Sequence, residues 1–305
     1  MIRRFLLLAL LACLPVSSLF AAEKSKHVLL LGIDGCRFDA LTKAKTPNLD
    51  KLMAKGSYSP TTLILGDRYQ KNDTVSGPGW GSIVTGVWAD KHNVQDNGFK
   101  EPHFDKFPHF FHYVKKRMPD AKTLSIINWS PIKTFMVSSA DISIDTTSIP
   151  KAYKMWDDAA AAYAVDLIDK EKPTAMMLYF GEVDETGHAH GFHPTVPQYI
   201  EAIEHVDSLV GKVLEAIDKQ NDQAWLIAVT SDHGGLGTGH GGGHDKPEIL
   251  NSFLIVSGPA AEKGKFDEQV YIVDAVPTLL TYLGVEIDDA WQLDGHAVGL
   301  KREDK

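Results

Sequence analysis

The sequence predicts an α/β protein whose central sheet is mostly parallel and carries helices on both faces. The first observation is a pair of apolar runs that end at Asp34 and Asp232, each with glycine close behind. Runs of four to six apolar residues bounded in this way are typical of buried parallel strands. The second observation is that strand-like and helix-like segments alternate along the chain, as they do around a parallel sheet.

The other predicted helices and strands follow from the spacing of apolar residues. One segment between them has no clear periodicity. Segment 195–219 has a helical stripe of isoleucine, valine and leucine. Segment 128–155 is rich in Ser, Thr and Asp and has weak periodicity, so we expect a small cap or rim insertion over the site. The predicted strands are 27–34, 122–127, 174–180, 224–231 and 253–257. The predicted helices are 48–55, 78–85, 104–117, 155–171, 195–219 and 274–284.

Length and composition indicate an ordinary globular protein. The chain has 305 residues, of which 44% are hydrophobic and 23% charged, and no linker is visible. We therefore expect one domain over residues 23–305. The net charge of -9 argues against binding of nucleic-acid polymers, which requires a basic surface.

Residues 1–22 are predicted to be a signal peptide. Arg3 and Arg4 precede a short apolar stretch and a small-residue end. The stretch is too short to span a membrane, so we expect a periplasmic or secreted protein with no transmembrane segment in the mature chain. An alternative is lipoprotein processing at Cys13, although the residues after it remain apolar. Cys36 is the other cysteine and is interpreted as a small packing residue.

Aspartate and histidine are concentrated where the predicted strands end. Asp232 is followed directly by His233, and Asp184 and His188 lie after strand 174–180. Parallel strands present their carboxyl ends to a common crevice, so these side chains and Asp34 should meet there. A glycine-rich segment follows with two more histidines, His240 and His244. This set predicts a zinc-type hydrolytic site with one or two metals.

A serine stands at the start of a predicted helix in the segment 73–86. Ser76 is followed by Gly77, Pro78 and Gly79, and proline fits the first turn of a helix. Exposed N–H groups at such a helix end favour an anion, including a phosphate. Taken alone, Ser76 could be an ordinary N-cap. Beside a metal, which makes a hydroxyl nucleophilic near neutral pH, Ser76 is the predicted nucleophile.

These motifs together resemble the alkaline phosphatase superfamily, and more narrowly its nucleotide pyrophosphatase/phosphodiesterase (type I phosphodiesterase) branch. The resemblance runs in the family's order over essentially the whole mature chain. It is carried by the segments 33–39, 46–52, 76–86, 184–188, 231–234 and 274–284.

The resemblance implies two zinc ions and a phosphoseryl intermediate. One zinc would be held by Asp34, Ser76, Asp232 and His233. The other would be held by Asp184, His188 and a later histidine, His240 by its setting, with His244 as the competitor. Asn97 lies twenty-one residues after Ser76, where the family has its second phosphate contact. The substrate would be a small-molecule phosphodiester or pyrophosphate-type ester.

Two departures from the family pattern and one from the sulfatase pattern bear on the substrate. Ser76 replaces the usual threonine, and Gly77 replaces the aromatic residue that stacks on a base. Trp80 stands where the sulfatase pattern has an arginine, which disfavours a sulfatase. Two Zn²⁺, three carboxylates and an ionised Ser76 sum to zero, which favours a singly charged diester unless Arg37 or Arg68 adds charge.

Two alternatives stay open at this point. One is a phosphomonoesterase, or a sulfate or phosphonate ester hydrolase, on the same scaffold. The other, from a different class, is a catalytically inactive metal-dependent binding protein. An intact Ser76, Asn97 and ligand set argue against the inactive protein. The oligomeric state is not predicted.

Overall fold

The computed structural model describes residues 24–68, 70–148 and 152–302. The predicted signal peptide at 1–22 and the alternative lipidation site at Cys13 lie outside these residues. Within the described part of the chain, no helix is both long enough and apolar enough to cross a membrane.

A mixed sheet of eight strands in the described residues forms the centre of the fold. The five strands on one side are parallel, whereas β7 runs antiparallel to both of its neighbours. The order across the sheet is β4-β3-β5-β1-β6-β7-β2-β8. The strands are β1 (Ser25–Ile33), β2 (Ser57–Leu63), β3 (Thr123–Ile127), β4 (Ile142–Asp145), β5 (Ala175–Phe180), β6 (Gln223–Thr230), β7 (Asn251–Ser257) and β8 (Gly264–Lys265).

Helices cover both faces of the sheet, as predicted. Side chains of β1 alternate between two buried clusters, with Leu30 in one and Leu29 in the other. Helices α3, α5 and α10 contribute to the first cluster, and α2, α6 and α8 to the second. The helices are α1 (Phe38–Leu41), α2 (Pro47–Lys55), α3 (Ser76–Thr85), α4 (Ala89–His92), α5 (Phe110–Arg117), α6 (Tyr153–Glu171), α7 (Glu182–His190), α8 (Pro197–Asp218), α9 (Pro247–Leu250) and α10 (Ala275–Tyr282).

The register of the central strands brings three carboxyl ends to one edge. In β1, Ile33 is aligned with Phe180 of β5, and Gly32 is aligned with Thr230 of β6. Residues that follow these strands therefore emerge next to one another. This alignment places Asp34, α7 and the segment after β6 around a common crevice.

Several element boundaries differ from the prediction for identifiable reasons. The five predicted strands correspond to β1, β3, β5, β6 and β7, but β2, β4 and β8 were not predicted. Strand β2 contains Pro60, which is accommodated where its pairing with β7 shifts register. The helix predicted at 104–117 begins only at Phe110. Pro108 disfavours helical backbone at Phe107, so the earlier residues form turns.

The predicted insertion at 128–155 contributes to both the sheet and the rim of the crevice. A π-helical turn at Ile132–Met136 is followed by β4, which pairs with β3 and extends the sheet at its edge. At the two ends of the segment, Trp129 and Tyr153 line the cavity at the carboxyl ends of the strands.

Candidate active site

The first group of candidate ligands lies at the tips of β1 and β6. Asp34, Asp232 and His233 are buried, and one ligand atom from each lies within 4.8 Å of the others. The Nε2 atom of His233 is 3.1 Å from Asp232 Oδ2 and 3.6 Å from Asp34 Oδ1. The backbone N–H of Gly35 donates to Asp232 Oδ1, which links the two tips.

The second group combines one helix with the glycine-rich segment. Asp184 and His188 are one turn apart on α7, and His188 Nε2 lies 3.3 Å from Asp184 Oδ2. His240 Nε2 is 3.5 Å from Asp184 Oδ1 and 3.0 Å from His188 Nε2. The three ligand atoms lie within 4.8 Å of one another. The two groups are adjacent, since the rings of His233 and His240 stack at 3.7 Å.

Backbone carbonyls fix the tautomer of all three histidines. The Nδ1 atoms of His188, His233 and His240 lie 2.9, 2.8 and 3.1 Å from carbonyl oxygens of Thr238, Gly234 and Thr74. A carbonyl only accepts, so each Nδ1 carries the proton and donates it. In the neutral form of each ring the lone pair is therefore on Nε2, which faces the carboxylates, as in a metal-binding histidine. The hydrogen bond to Asp184 raises the pKa of His188 to about 9, so a cation bound there would displace a proton from its Nε2.

Three buried carboxylate oxygens in these groups have no hydrogen-bond partner. They are Asp34 Oδ1, Asp184 Oδ1 and Asp232 Oδ2, and each faces a histidine Nε2. Burying a charged oxygen without a partner is costly, so divalent cations fit these positions. Mixed carboxylate and imidazole donors suit zinc better than calcium or magnesium, which prefer oxygen alone.

Burial perturbs the protonation of the candidate ligands. It raises the pKa of Asp34 well above its usual range, and the nearby charges of Asp232 and Asp184 add to the effect. Burial also raises the pKa of Asp232 to about 6 and lowers the pKa of His240 to about 3. Closely packed carboxylates resist ionisation together, whereas bound cations would favour their charged forms.

Ser76 is the first residue of α3 and lies beside the first ligand group. Val75 occupies the N-cap position, so Ser76 is not the N-cap that the alternative interpretation proposed. The Ser76 hydroxyl oxygen is 3.3 Å from His233 Nε2. The serine oxygen is therefore available at the cavity and next to the first group.

Asn97 reaches the same cavity from the loop after α4. The backbone N–H of Gly77 donates to Asn97 Oδ1 at 2.7 Å, which leaves the Nδ2 protons for another acceptor. A Cβ at position 77 would lie 2.9 Å from that oxygen and 2.7 Å from the Asp96 carbonyl. Glycine at 77 thus permits the approach of Asn97, where the family pattern has an aromatic residue.

The cavity between these groups has a volume of about 380 Å³. It is lined by Ser76 and Asn97, by members of both ligand groups, and by aromatic residues. The aromatic lining residues are Trp129, Tyr153 and Tyr179. A larger cavity of about 640 Å³ contains Lys24, Lys51 and Trp225 and none of the candidate ligands.

Several residues weighed from the sequence lie elsewhere. His244 is bound through Nε2 to the carbonyl of Asn72, 2.9 Å away. Arg37 pairs with Asp39, and Arg68 pairs with Asp90 and Asp294. Cys36 is fully buried in the core, as its interpretation as a packing residue predicts.

Sequence reasoning missed the residues that support the ligands. The indole N–H of Trp80 and the hydroxyl of Tyr179 both donate to Asp34. Asp157, on α6, accepts the backbone N–H groups of Gly181 and Glu182 at the start of α7. These partners are distant in the chain, and local patterns carry no signal for them.

Comparison with known proteins identifies what the chain is similar to. A model of the type I phosphodiesterase / nucleotide pyrophosphatase family matches residues 28–288. Human ectonucleotide pyrophosphatase/phosphodiesterase family member 5 is 26% identical over 317 residues, covering 95% of this chain and 64% of that protein. Mouse family member 1 is 28% identical over 270 residues, covering 79% of this chain and 28% of that protein. The chain therefore spans less than two thirds of the length of these relatives.

Solved structures share the fold at low sequence identity. Murine ectonucleotide pyrophosphatase/phosphodiesterase 5, as an inactive variant in complex with AMP, aligns with a TM-score of 0.61 and 16% identity. That alignment covers 86% of this chain and 96% of the other. A 2-O glycosaminoglycan sulfatase aligns with a TM-score of 0.71 and 12% identity, covering 90% of this chain and 73% of the other.

Proposed function

Because the chain belongs to the type I phosphodiesterase / nucleotide pyrophosphatase family, we propose that it hydrolyses small-molecule phosphodiesters or pyrophosphate-type esters with two zinc ions. The observation that carries the proposal is the pair of adjacent ligand groups with Ser76 beside them. The proposal includes export by the signal at 1–22 and one catalytic domain over 23–305. It also includes Asp34, Ser76, Asp232 and His233 as one zinc site, and Asp184, His188 and His240 as the other.

In this mechanism Ser76 is the nucleophile. Its Oγ forms a bond to phosphorus while the bond to the leaving oxygen breaks, and the serine proton ends on the leaving oxygen. This gives a phosphoseryl intermediate and an alcohol, or a phosphate where the substrate is a pyrophosphate-type ester. Asn97 donates an Nδ2 proton to a phosphate oxygen as charge accumulates there. The oxygen of a water molecule then bonds to phosphorus while the bond to Ser76 Oγ breaks; one water proton returns to Oγ, and the phosphate product leaves. Bound zinc ions would supply Lewis-acid stabilisation of the attacking and leaving oxygens.

Charge supports a diester rather than a monoester. Two Zn²⁺, three carboxylates and ionised Ser76 sum to zero, so a singly charged phosphate adds little repulsion. Arg37 is held by Asp39 and by the carbonyls of Phe192 and Gly235, and Arg68 is held by two aspartates. Neither arginine lines the cavity, so neither offsets the second negative charge of a monoester.

The test compares hydrolysis of p-nitrophenyl diester, monoester and sulfate substrates by the zinc-loaded protein. We expect two zinc ions per chain and the highest kcat/KM on the diester. Ser76→Ala should lose on the order of 10³-fold or more in kcat while keeping both zinc ions. Ser82→Ala is the matched control, because Ser82 lies on the same helix but binds His92.

Three outcomes would contradict the proposal. A preference for the monoester or the sulfate would replace the diester assignment. Near-normal turnover by Ser76→Ala would replace the serine nucleophile with direct attack by water. Two bound zinc ions with zero turnover on every ester would instead support a binding protein.

A further inference from the structure

Two neutral donors converge on a single oxygen of Asp34. The hydroxyl of Tyr179 lies 2.6 Å from Asp34 Oδ2, and the indole Nε1 of Trp80 lies 2.8 Å from the same atom. The other oxygen, Oδ1, has no hydrogen-bond partner and is 3.6 Å from His233 Nε2. The two oxygens of this buried carboxylate are therefore unequal in their surroundings.

The fold makes specific room for this arrangement. A Cβ at Gly32 would lie 2.2 Å from the Trp80 ring, so only glycine there lets the indole lie against β1. Tyr179, on β5, is aligned with Gly32 of β1. The rings of Tyr179 and Trp80 meet edge to face, with their centroids 5.2 Å apart. Trp80 is fully buried and Tyr179 nearly so. Helix α3, which begins with Ser76, is thus tied through Trp80 to the first ligand group.

Core packing alone does not account for these contacts. Phenylalanine at both positions would fill apolar space without a polar atom, whereas buried tyrosine and tryptophan need a partner. Here both donors find the same partner atom and occupy its lone pairs. A metal that approached Oδ2 would have to displace them, while Oδ1 is open to a cation.

We propose that Trp80 and Tyr179 are positioning residues that hold Asp34 so that it binds the first zinc through Oδ1 alone. The inference rests on the proposed function, because it assigns a zinc to Asp34, Asp232 and His233. Hydrogen bonds to the far oxygen fix the orientation of a ligating carboxylate, and losing such a partner weakens metal binding by about 10–100-fold. No proton or electron transfer by either residue is involved.

The test measures zinc affinity of metal-stripped protein by competition with a chelator. Asp34→Asn identifies which of the two zinc ions belongs to Asp34. Tyr179→Phe should weaken that same zinc by about 10–100-fold and leave the other unchanged. Tyr199→Phe is the matched control, since its buried hydroxyl binds the Gly35 carbonyl and not the carboxylate.

A double variant separates positioning from general stability. If Tyr179 acts through Asp34, adding Tyr179→Phe to Asp34→Asn should not weaken zinc binding further. Trp80→Phe provides an independent variant, and circular dichroism of each metal-free protein verifies folding. Equal effects of Tyr179→Phe and Tyr199→Phe, or unchanged affinity for both zinc ions, would overturn the inference.

Failure of the proposed function and failure of the positioning role would give different results. A wild-type protein without diesterase activity whose Asp34 zinc is still weakened by Tyr179→Phe would refute the function and keep the positioning role. Full diesterase activity with normal zinc affinity in Tyr179→Phe would refute the positioning role and keep the function.

Discussion

Replacing His240 should remove one zinc ion, whereas replacing His244 should not. The two histidines are four residues apart in the same glycine-rich segment, yet their surroundings differ. His240 Nε2 faces His188 Nε2 at 3.0 Å and Asp184 Oδ1 at 3.5 Å. His244 uses its Nε2–H to bind the Asn72 carbonyl, so that nitrogen has no lone pair for a metal.

The expected magnitudes follow from these contacts. Loss of an outer partner of a ligand costs about 10–100-fold in metal affinity, so loss of the ligand itself should exceed about 100-fold. That factor corresponds to about 2.8 kcal/mol or more of binding free energy, at about 1.4 kcal/mol per tenfold change. His244→Ala removes one hydrogen bond, which contributes about 1 kcal/mol to the free energy of unfolding.

The assay is zinc stoichiometry by elemental analysis together with diester turnover for both variants. We expect His240→Ala to retain about one zinc per chain and to lose nearly all activity. His244→Ala should retain two zinc ions, with a slightly lower urea midpoint. If His244→Ala instead lost one zinc ion and His240→Ala kept both, the observed hydrogen bonds would not report which histidine binds metal. The assignment of His240 as the ligand would then be wrong.

Two further predictions concern residues outside the zinc ligands. Asn97→Ala should lower kcat by roughly 10²–10³-fold, because it removes one hydrogen-bond donor to the charge that develops on the phosphate oxygens. Both zinc ions should be retained. An unchanged kcat would show that Asn97 does not stabilise that charge. Burial raises the pKa of Asp157 to about 7, above its unfolded value, so its favourable contribution is full below the unfolded pKa and is lost as pH rises through about 7. Asp157→Asn should therefore flatten the fall in unfolding free energy between about pH 4 and about pH 7, measured by urea unfolding of metal-free protein, by about 1.4 kcal/mol per unit of pKa difference removed. An equally steep fall in the variant would assign the pH dependence to other groups.

The central strands were predictable because their signal is local. Five apolar runs correspond to β1, β3, β5, β6 and β7, and buried parallel strands need little else to be recognised. The edge strands were missed for the opposite reason. Strand β4 is only half-buried, and β2 tolerates Pro60 at an irregularity in its pairing, so neither has a clean alternation of apolar residues.

The candidate ligands were predictable because they follow strand ends or lie one helical turn apart. Structure was needed to separate His240 from His244, since both stand among glycines in the sequence and only the folded protein places His240 beside Asp184 and His188. It was also needed to place Asp157 beneath α7, because α6 and α7 meet only in the folded protein. Residues that support ligands across long sequence separations have no local pattern to detect.

Position 80 connects the sequence departures to the charge of the site. An arginine there, as in the sulfatase pattern, would bring a positive charge towards the nucleophile helix. Trp80 instead offers a neutral N–H to Asp34, at 2.8 Å, inside the core. A neutral donor orients the carboxylate without bringing a positive charge, so a bound cation, rather than an arginine, would stabilise the charged form of Asp34. In the proposed site, two zinc ions, three carboxylates and ionised Ser76 would still sum to zero, which favours a singly charged substrate.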